Sequence, residues 1–201
     1  MINIGVLVSG RGSNLQAIID AIEKGQIKGK IAIVISNNPD AQALKRAQKF
    51  QIPTQILPAK NNQSRQEYDK SVLQYLKRNQ VALVVLAGYM RLLSPYFIQH
   101  YRYRIINIHP ALLPSFPGLN AQRQALKYGV KVSGCTVHFV DEGVDTGPII
   151  LQKTVKVKQD DDEDRLSKRI LKYEHQALTE AIKLFVDGKI EIRDKRVWIL
   201  N

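Results

Sequence analysis

The chain has 201 residues, of which 44% are hydrophobic, and a formal net charge of +12. This length and apolar content suit one globular domain with a sizeable core. No stretch approaches the roughly 20 apolar residues of a membrane-spanning helix, the first residues resemble no secretory signal, and the one cysteine, Cys135, has no partner for an internal disulfide. We therefore expect a cytoplasmic protein that does not contact a membrane.

The excess of positive charge has two possible explanations. Anionic ligands such as phosphate esters, polycarboxylates or nucleic acid would account for it. The basic residues are dispersed along the chain rather than packed into a tract, which is typical of solvated helix faces. A nucleic-acid binder would need basic and aromatic residues clustered on one face, and because no such cluster is visible we expect no nucleic-acid partner.

Strands and helices alternate through the first half of the chain. Apolar runs predict strands over 2–8, 31–35, 54–57 and 81–87, and a further strand that ends in Asn107 and His109. Helical spacing predicts helices over 13–23, 41–50 and 64–78, and a short helix from Pro95. This alternation predicts an α/β fold with three layers and a doubly wound, mostly parallel sheet.

The last third of the chain departs from this alternation. Two longer strands are predicted over 132–140 and 149–157, and we expect them to pair as an antiparallel addition to the sheet. A long helix over 165–186 and a terminal hairpin over 190–200 follow. Ligands of open α/β sheets bind at the carboxyl ends of the strands, so the residues that follow each strand are the candidates for a site.

The glycine-containing loop after the first strand, residues 9–14, also has two explanations. Free N–H groups at the start of a helix could bind a phosphate monoester, or Ser13 could simply cap that helix. A dinucleotide fingerprint is excluded, because Leu15 replaces its third glycine and the second strand ends in Ser36-Asn37-Asn38 without a carboxylate.

Asn107 and His109 lie two residues apart at the end of a buried strand, so their side chains share a face. A lone histidine here would ordinarily be a core residue, but Asn107 and the proline-rich loop that follows favour a functional site. The acidic loop 141–148 is either a plain turn or the source of a carboxylate that raises the pKa of His109. His138 is either structural or lines the same cleft, and the spacing of histidines and the single cysteine predicts no metal site.

The sequence resembles the phosphoribosylglycinamide formyltransferases, folate-dependent enzymes of purine biosynthesis. The resemblance is carried by SGRGSNLQAI at 9–18, LAGYMRLLSP at 86–95, NIHPALLP at 107–114, VHFV at 137–140 and DTGP at 145–148. It implies one domain of the Rossmann-like formyltransferase fold over residues 1–201, with a phosphate-binding half at 1–100 and a catalytic, folate-binding half at 101–201.

By that resemblance the donor is 10-formyltetrahydrofolate and the acceptor is the amine of 5-phosphoribosylglycinamide, both small molecules. The residues implied to contact the acceptor are Gly12, Ser13, Asn14, Pro110 and Glu174. Those implied to contact folate are Arg65, Met90, Arg91, Leu92, Leu93, Asn107, Val140, Asp141 and Asp145. The sequence leaves open whether the protein is a monomer or a homodimer, and Leu113–Pro114 is a candidate cis peptide bond.

The resemblance also implies a mechanism. The amine would attack the formyl carbon directly and give a tetrahedral intermediate, whose oxyanion Asn107 and a protonated His109 would stabilise. His109 would then help to protonate the departing folate nitrogen, and Asp145 would keep His109 charged and oriented.

Two other formyl-handling enzymes are alternatives, a formyltetrahydrofolate hydrolase and a methionyl-tRNA formyltransferase. The first usually carries an extra N-terminal regulatory domain and the second an extra C-terminal RNA-binding domain. We expect neither in a chain of 201 residues, and a phosphate loop favours a small acceptor.

Overall fold

The secondary structure of the computed structural model covers residues 1–200. Its strands are β1 (Ile2–Val8), β2 (Gly29–Ser36), β3 (Thr54–Ile56), β4 (Leu83–Leu86), β5 (Ile105–His109), β6 (Val132–Phe139), β7 (Ile149–Lys156), β8 (Ile190–Arg193) and β9 (Arg196–Ile199). Its helices are α1 (Ser13–Glu23), α2 (Gln42–Lys49), α3 (Arg65–Arg78), α4 (Pro95–His100), α5 (Ala121–Tyr128) and α6 (Glu163–Val186). Within residues 1–200, no helix combines the length and the apolar character needed to cross a membrane.

The strands of the main sheet follow the order β3-β2-β1-β4-β5-β6-β7. β1 pairs in parallel with β2 and β4, and β2 pairs in parallel with β3. β6 and β7 pair antiparallel, as do β8 and β9 in a separate hairpin. The predicted α/β fold, with a mostly parallel sheet and an antiparallel addition, is confirmed.

The chain divides into two compact units, with the boundary between Ile106 and Asn107; Asn201, the last residue of the predicted second half, lies outside the described residues. In the first unit, β1 is covered on both faces, which its unbroken apolar sequence requires. In the second unit, α6 packs against β6 and β7. The buried face of α6 consists of Leu166, Ile170, Glu174, Ala177, Leu178, Ala181 and Ile182, and Glu174 is the charged member of this otherwise apolar stripe.

Helix α5 was not among the predicted elements. Its ends are marked by backbone conformation rather than by a side-chain cap, because Asn120 before it and Gly129 after it are both left-handed. A glycine just past the end of a helix is a common stop signal, so Gly129 was the available clue. The Leu113–Pro114 peptide bond upstream of this helix is cis.

Helix α1 begins at the predicted residue, but its N-cap is not the residue that the sequence offered for this role. Gly12, and not Ser13, is the N-cap residue, with a left-handed φ of 74° and no side-chain hydrogen bond. A Cβ at Gly12 would lie 2.6 Å from the Cβ of Ala43 on α2. Two constraints therefore require a glycine at position 12: its left-handed backbone conformation and the close approach of α2.

This close approach can be tested with two matched glycines. Gly25 is also left-handed, but a Cβ added there would meet no atom within 4 Å. We expect Gly25→Ala to lower the free energy of unfolding by about 1–2 kcal/mol, from backbone strain alone. Gly12→Ala should lower it by about 2–4 kcal/mol, because strain and overpacking add. Urea unfolding measures both, and equal losses would contradict the packing argument.

Candidate functional site

His109 ends β5 with its side chain almost fully buried in the second unit. Its Nδ1 atom lies 3.2 Å from Oδ2 of Asp145. Its Nε2 atom lies 2.8 Å from the carbonyl oxygen of Phe116. Each ring nitrogen therefore faces a hydrogen-bond acceptor, and only the protonated ring can donate to both at once.

Asp145 is held in place by the loop that carries it and by the loop after His109. Its φ of 55° is left-handed, a conformation that Asp tolerates better than most residues. Its Oδ2 atom accepts a 2.8 Å hydrogen bond from the N–H of Gly118. Two residues on, a Cβ at Gly147 would lie 1.8 Å from the carbonyl oxygen of Phe139. Gly147 thus lets the chain pass close to the end of β6 and places the carboxylate beside His109.

A second histidine orients the amide of Asn107. The Nδ1 atom of His138 lies 2.8 Å from the carbonyl oxygen of Phe139, so Nδ1 carries a proton and donates it there. In the neutral ring the Nε2 atom is then an acceptor, and it lies 3.2 Å from Nδ2 of Asn107. The same Nε2 lies 3.6 Å from Oδ1 of Asp145. Asn107, His109, His138 and Asp145 therefore form one connected cluster.

Burial and nearby charges have opposite effects on the pKa values of His109 and Asp145. Burial lowers the pKa of His109, and this outweighs Asp145 and the Phe116 carbonyl, which both raise it. Asp145 raises the pKa of His109 as predicted, but desolvation outweighs its contribution and the net direction is downward. Burial raises the pKa of Asp145, but the nearby His138 ring in its charged form, the hydrogen bond from the N–H of Gly118 and the proximity of His109 bring it below its ordinary value.

The lowered pKa of His109 has a consequence for stability. The folded protein holds this proton less tightly than the unfolded chain, whose histidine value is 6.5. The stabilisation that the neutral ring contributes is therefore complete above pH 6.5 and is lost as the pH falls through the folded pKa.

The glycine loop lies in the first unit, where α2 holds two of its carbonyl groups. The N–H of Ala43 donates to the Gly10 carbonyl at 3.1 Å, and Nε of Arg46 donates to the Arg11 carbonyl at 3.0 Å. Ser13 and Asn14 follow as the first residues of α1. Helix α2 therefore holds this loop at the start of α1, the kind of position where backbone N–H groups can bind an anion.

The predicted folate residues of the first unit lie around the loop after β4. Met90 and Leu92 are exposed by 67% and 56%, whereas Leu93 is buried. The guanidinium of Arg91 lies 4.1 Å from the centre of the Tyr68 ring, and Arg65 is the first residue of α3. Two exposed apolar side chains beside a fixed cation suit a ligand with a flat ring and carboxylates.

The remaining predicted contacts lie in the second unit. Pro110 follows His109 directly and is half-buried, and Glu174 is 8% exposed on α6. Val140 follows β6. Asp141 is engaged within its own loop, where Oδ1 accepts hydrogen bonds from the N–H of Gly143 and the hydroxyl of Thr146.

Three groups of the cluster escaped sequence reasoning or were left open by it. His138 was visible as a polar residue in an apolar strand, three residues before the acidic loop. The Phe116 carbonyl and the Gly118 N–H are backbone groups, and no side chain signals their role. Within residues 1–200, no three His, Cys, Asp or Glu side chains are grouped as the ligands of a metal ion.

A buried histidine beside a carboxylate and an oriented amide can transfer protons and stabilise an oxyanion in a reaction at a carbonyl group. Residues 2–182 match the family model described as formyl transferase. Phosphoribosylglycinamide formyltransferase of Escherichia coli K12 is 45% identical over 98% of this chain and 93% of its own. The crystal structure of glycinamide ribonucleotide transformylase 1 from Symbiobacterium toebii superposes with a TM-score of 0.98, at 50% identity, over 100% of this chain and 95% of that one. The chain belongs to the formyl transferase family.

Some relatives are much longer. The trifunctional purine biosynthetic protein adenosine-3 of Drosophila melanogaster is 50% identical over 92% of this chain, yet the match covers 14% of that protein. The similarity therefore concerns one segment of the trifunctional protein.

The effect of burial on His109 can be tested by a pH titration followed by NMR. We expect the His109 ring to titrate below pH 6.5, the ordinary value, because burial outweighs Asp145. Asp145→Asn should move the midpoint lower still, since it removes an influence that raises the pKa. Asp141→Asn, in the same loop, should leave it unchanged. A midpoint above 6.5, or one insensitive to Asp145→Asn, would contradict this electrostatic account.

Proposed function

We propose that this protein transfers the formyl group of 10-formyltetrahydrofolate to the amine of 5-phosphoribosylglycinamide, a step of purine biosynthesis. The observation that carries the proposal is the cluster in which His109 lies against Asp145 while His138 holds Asn107. Full-length relatives that bear the name of this activity support the choice of substrates. The protein would act on small molecules in the cytoplasm, as a monomer or a homodimer and without nucleic acid or membrane.

The lowered pKa assigns His109 a different starting state from the one that the sequence suggested. At neutral pH the ring begins neutral, so it can accept the proton that the attacking amine gives up. The resulting imidazolium donates through Nδ1 to Asp145 and places its positive charge near the oxyanion of the tetrahedral intermediate. The same proton then passes from Nε2 to the departing folate nitrogen, which leaves His109 neutral again.

This use of Nε2 requires an exchange of partners. Nε2 lies 2.8 Å from the Phe116 carbonyl oxygen, to which a ring protonated on Nε2 donates. With Nε2 directed to a substrate instead, Asp145 would favour the tautomer with the proton on Nδ1 and leave the Nε2 lone pair for the incoming proton.

Asn107 would act as a donor to the formyl oxygen. Its amide has two hydrogens, and the contact with Nε2 of His138 engages one of them. The second remains for the oxygen that gains charge as the amine attacks. A donor fixed in this way can lower the barrier by about 3–4 kcal/mol.

The two substrates would draw on different parts of the chain. Gly12, Ser13 and Asn14 would hold the acceptor phosphate at the start of α1, with Pro110 and Glu174 also contacting the acceptor. Folate would contact Met90, Arg91, Leu92, Leu93, Arg65, Asn107, Val140, Asp141 and Asp145. The folate supplies the activated formyl group, and the exposed Met90 and Leu92 next to Arg91 fit its flat ring and its carboxylates.

An assay that varies the acceptor tests the proposed reaction. Purified protein is given 10-formyltetrahydrofolate with and without phosphoribosylglycinamide, and the appearance of tetrahydrofolate and of the formylated product is followed. Turnover that depends on the acceptor supports the proposal. Release of formate without the acceptor would instead indicate a hydrolase and overturn it.

Substitutions in the cluster test the assigned roles. We expect His109→Ala and Asn107→Ala each to lower kcat by about 10²–10⁴-fold, because each removes a group that acts in the transition state. His100→Ala, a histidine of α4 outside the cluster, should keep kcat within about twofold, and thermal melts confirm that the variants are folded. Near-normal turnover in either cluster variant would refute its role.

A further inference from the structure

The segment Met90–Ser94 is anchored by a side chain at each end. The N–H of Met90 donates to Oγ of Ser9 at 2.8 Å. The N–H of Ser94 donates to Oδ2 of Asp69 at 2.6 Å. All four residues lie in the first unit, and neither Ser9 nor Asp69 is among the residues implied to contact a substrate.

Ser9 is fixed through every polar group it has. Its N–H donates to the Gly88 carbonyl at 3.1 Å, and its carbonyl accepts from Nδ2 of Asn38 at 3.2 Å. Its hydroxyl donates to Oδ1 of Asn37 at 2.5 Å. Because the hydroxyl proton is committed to Asn37, the oxygen lone pairs are free to accept from Met90.

Asp69 is a carboxylate in the core, with 2% of its surface exposed. Burial raises its pKa, while the hydrogen bond from Ser94 and the positive charges of Arg91 and Arg65 oppose that rise. A buried carboxylate is destabilising unless it is well paired. Core packing alone therefore does not account for Asp69 at this position.

Tyr68, the neighbour of Asp69 on α3, contacts the side chain of Arg91 in the same segment. The Tyr68 ring lies 4.1 Å from the Arg91 guanidinium, and its hydroxyl donates to the Leu57 carbonyl at 2.8 Å. Ser94 in turn caps α4 through the N–H of Phe97. Both ends of the segment and the side chain of Arg91 between them are therefore held by contacts within the protein itself.

We propose that Ser9 and Asp69 are positioning residues that fix the two ends of the Met90–Ser94 segment and thereby set the affinity for the folate donor. The inference rests on the proposed function, in which this segment contacts folate. A segment that is already ordered loses less conformational freedom on binding, so its ligand binds more tightly. Neither residue touches a reacting atom, so the effect should appear in KM for the donor and not in kcat.

Three variants test the two anchors. We expect Ser9→Ala and Asp69→Ala each to raise KM for 10-formyltetrahydrofolate about threefold to tenfold, the range for one lost hydrogen bond. The values of kcat and of KM for the acceptor should stay within about twofold. Asp69→Asn keeps an oxygen that can accept from Ser94 and should restore most of the donor affinity. Ser71→Ala, at a half-buried serine of α3 whose hydroxyl donates to the Glu67 carbonyl of its own helix, is the matched control and should change nothing.

Amide hydrogen exchange of a peptide that covers residues 88–94 gives a readout that does not depend on turnover. Exchange without ligand should be faster in both alanine variants than in Asp69→Asn, Ser71→Ala or the parent protein. An unchanged donor KM in both alanine variants, equal changes in both KM values, or an Asp69→Asn variant as impaired as Asp69→Ala would each overturn the inference. A parent protein without acceptor-dependent turnover would overturn the proposed function instead, and exchange would still test the anchors.

Discussion

The contact between His109 and Asp145 is the interaction on which the proposed chemistry depends. Burial discourages a charge on the imidazole, and the carboxylate 3.2 Å away encourages it. These opposing effects leave His109 neutral at neutral pH, with Asp145 placed to stabilise its charged form. Asp145 can play this part because the Gly118 N–H donates a hydrogen bond to it and its pKa lies below the ordinary value, so it stays ionised at neutral pH.

The sheet supplies the precision that such a pair needs. Asn107 and His109 belong to β5 and His138 to β6, which are neighbours in the sheet. Side chains alternate along a strand, so a slip of one residue would turn the amide and the imidazole to the opposite face. The carboxylate comes from a loop, and its position relies on a left-handed Asp145 and on Gly147 passing close to Phe139. Strand pairing and loop geometry together define the site.

The sequence predicted the parts of the fold that follow a simple period. Apolar runs and helical spacing located β1 and α1 to the residue, and the polar pair at the end of β5 indicated the site. It could not locate α5, whose ends depend on the left-handed backbone of Asn120 and Gly129. It indicated that Asp145 raises the pKa of His109 but not that the net direction is downward, because a strand pattern shows a charged neighbour and not the depth of burial. The role of the Phe116 carbonyl could not be predicted from the sequence, because every residue has a backbone carbonyl group.

A double-mutant cycle on kcat tests most directly whether Asp145 acts through His109. Asp145→Asn is introduced into the parent protein and into His109→Ala, and the loss in kcat is compared. Groups that act as a unit are not additive, so we predict a loss of about 10²-fold or more in the parent and less than about threefold when His109 is already absent. The same fold-loss in both backgrounds would show that Asp145 acts independently of His109 and would contradict the account.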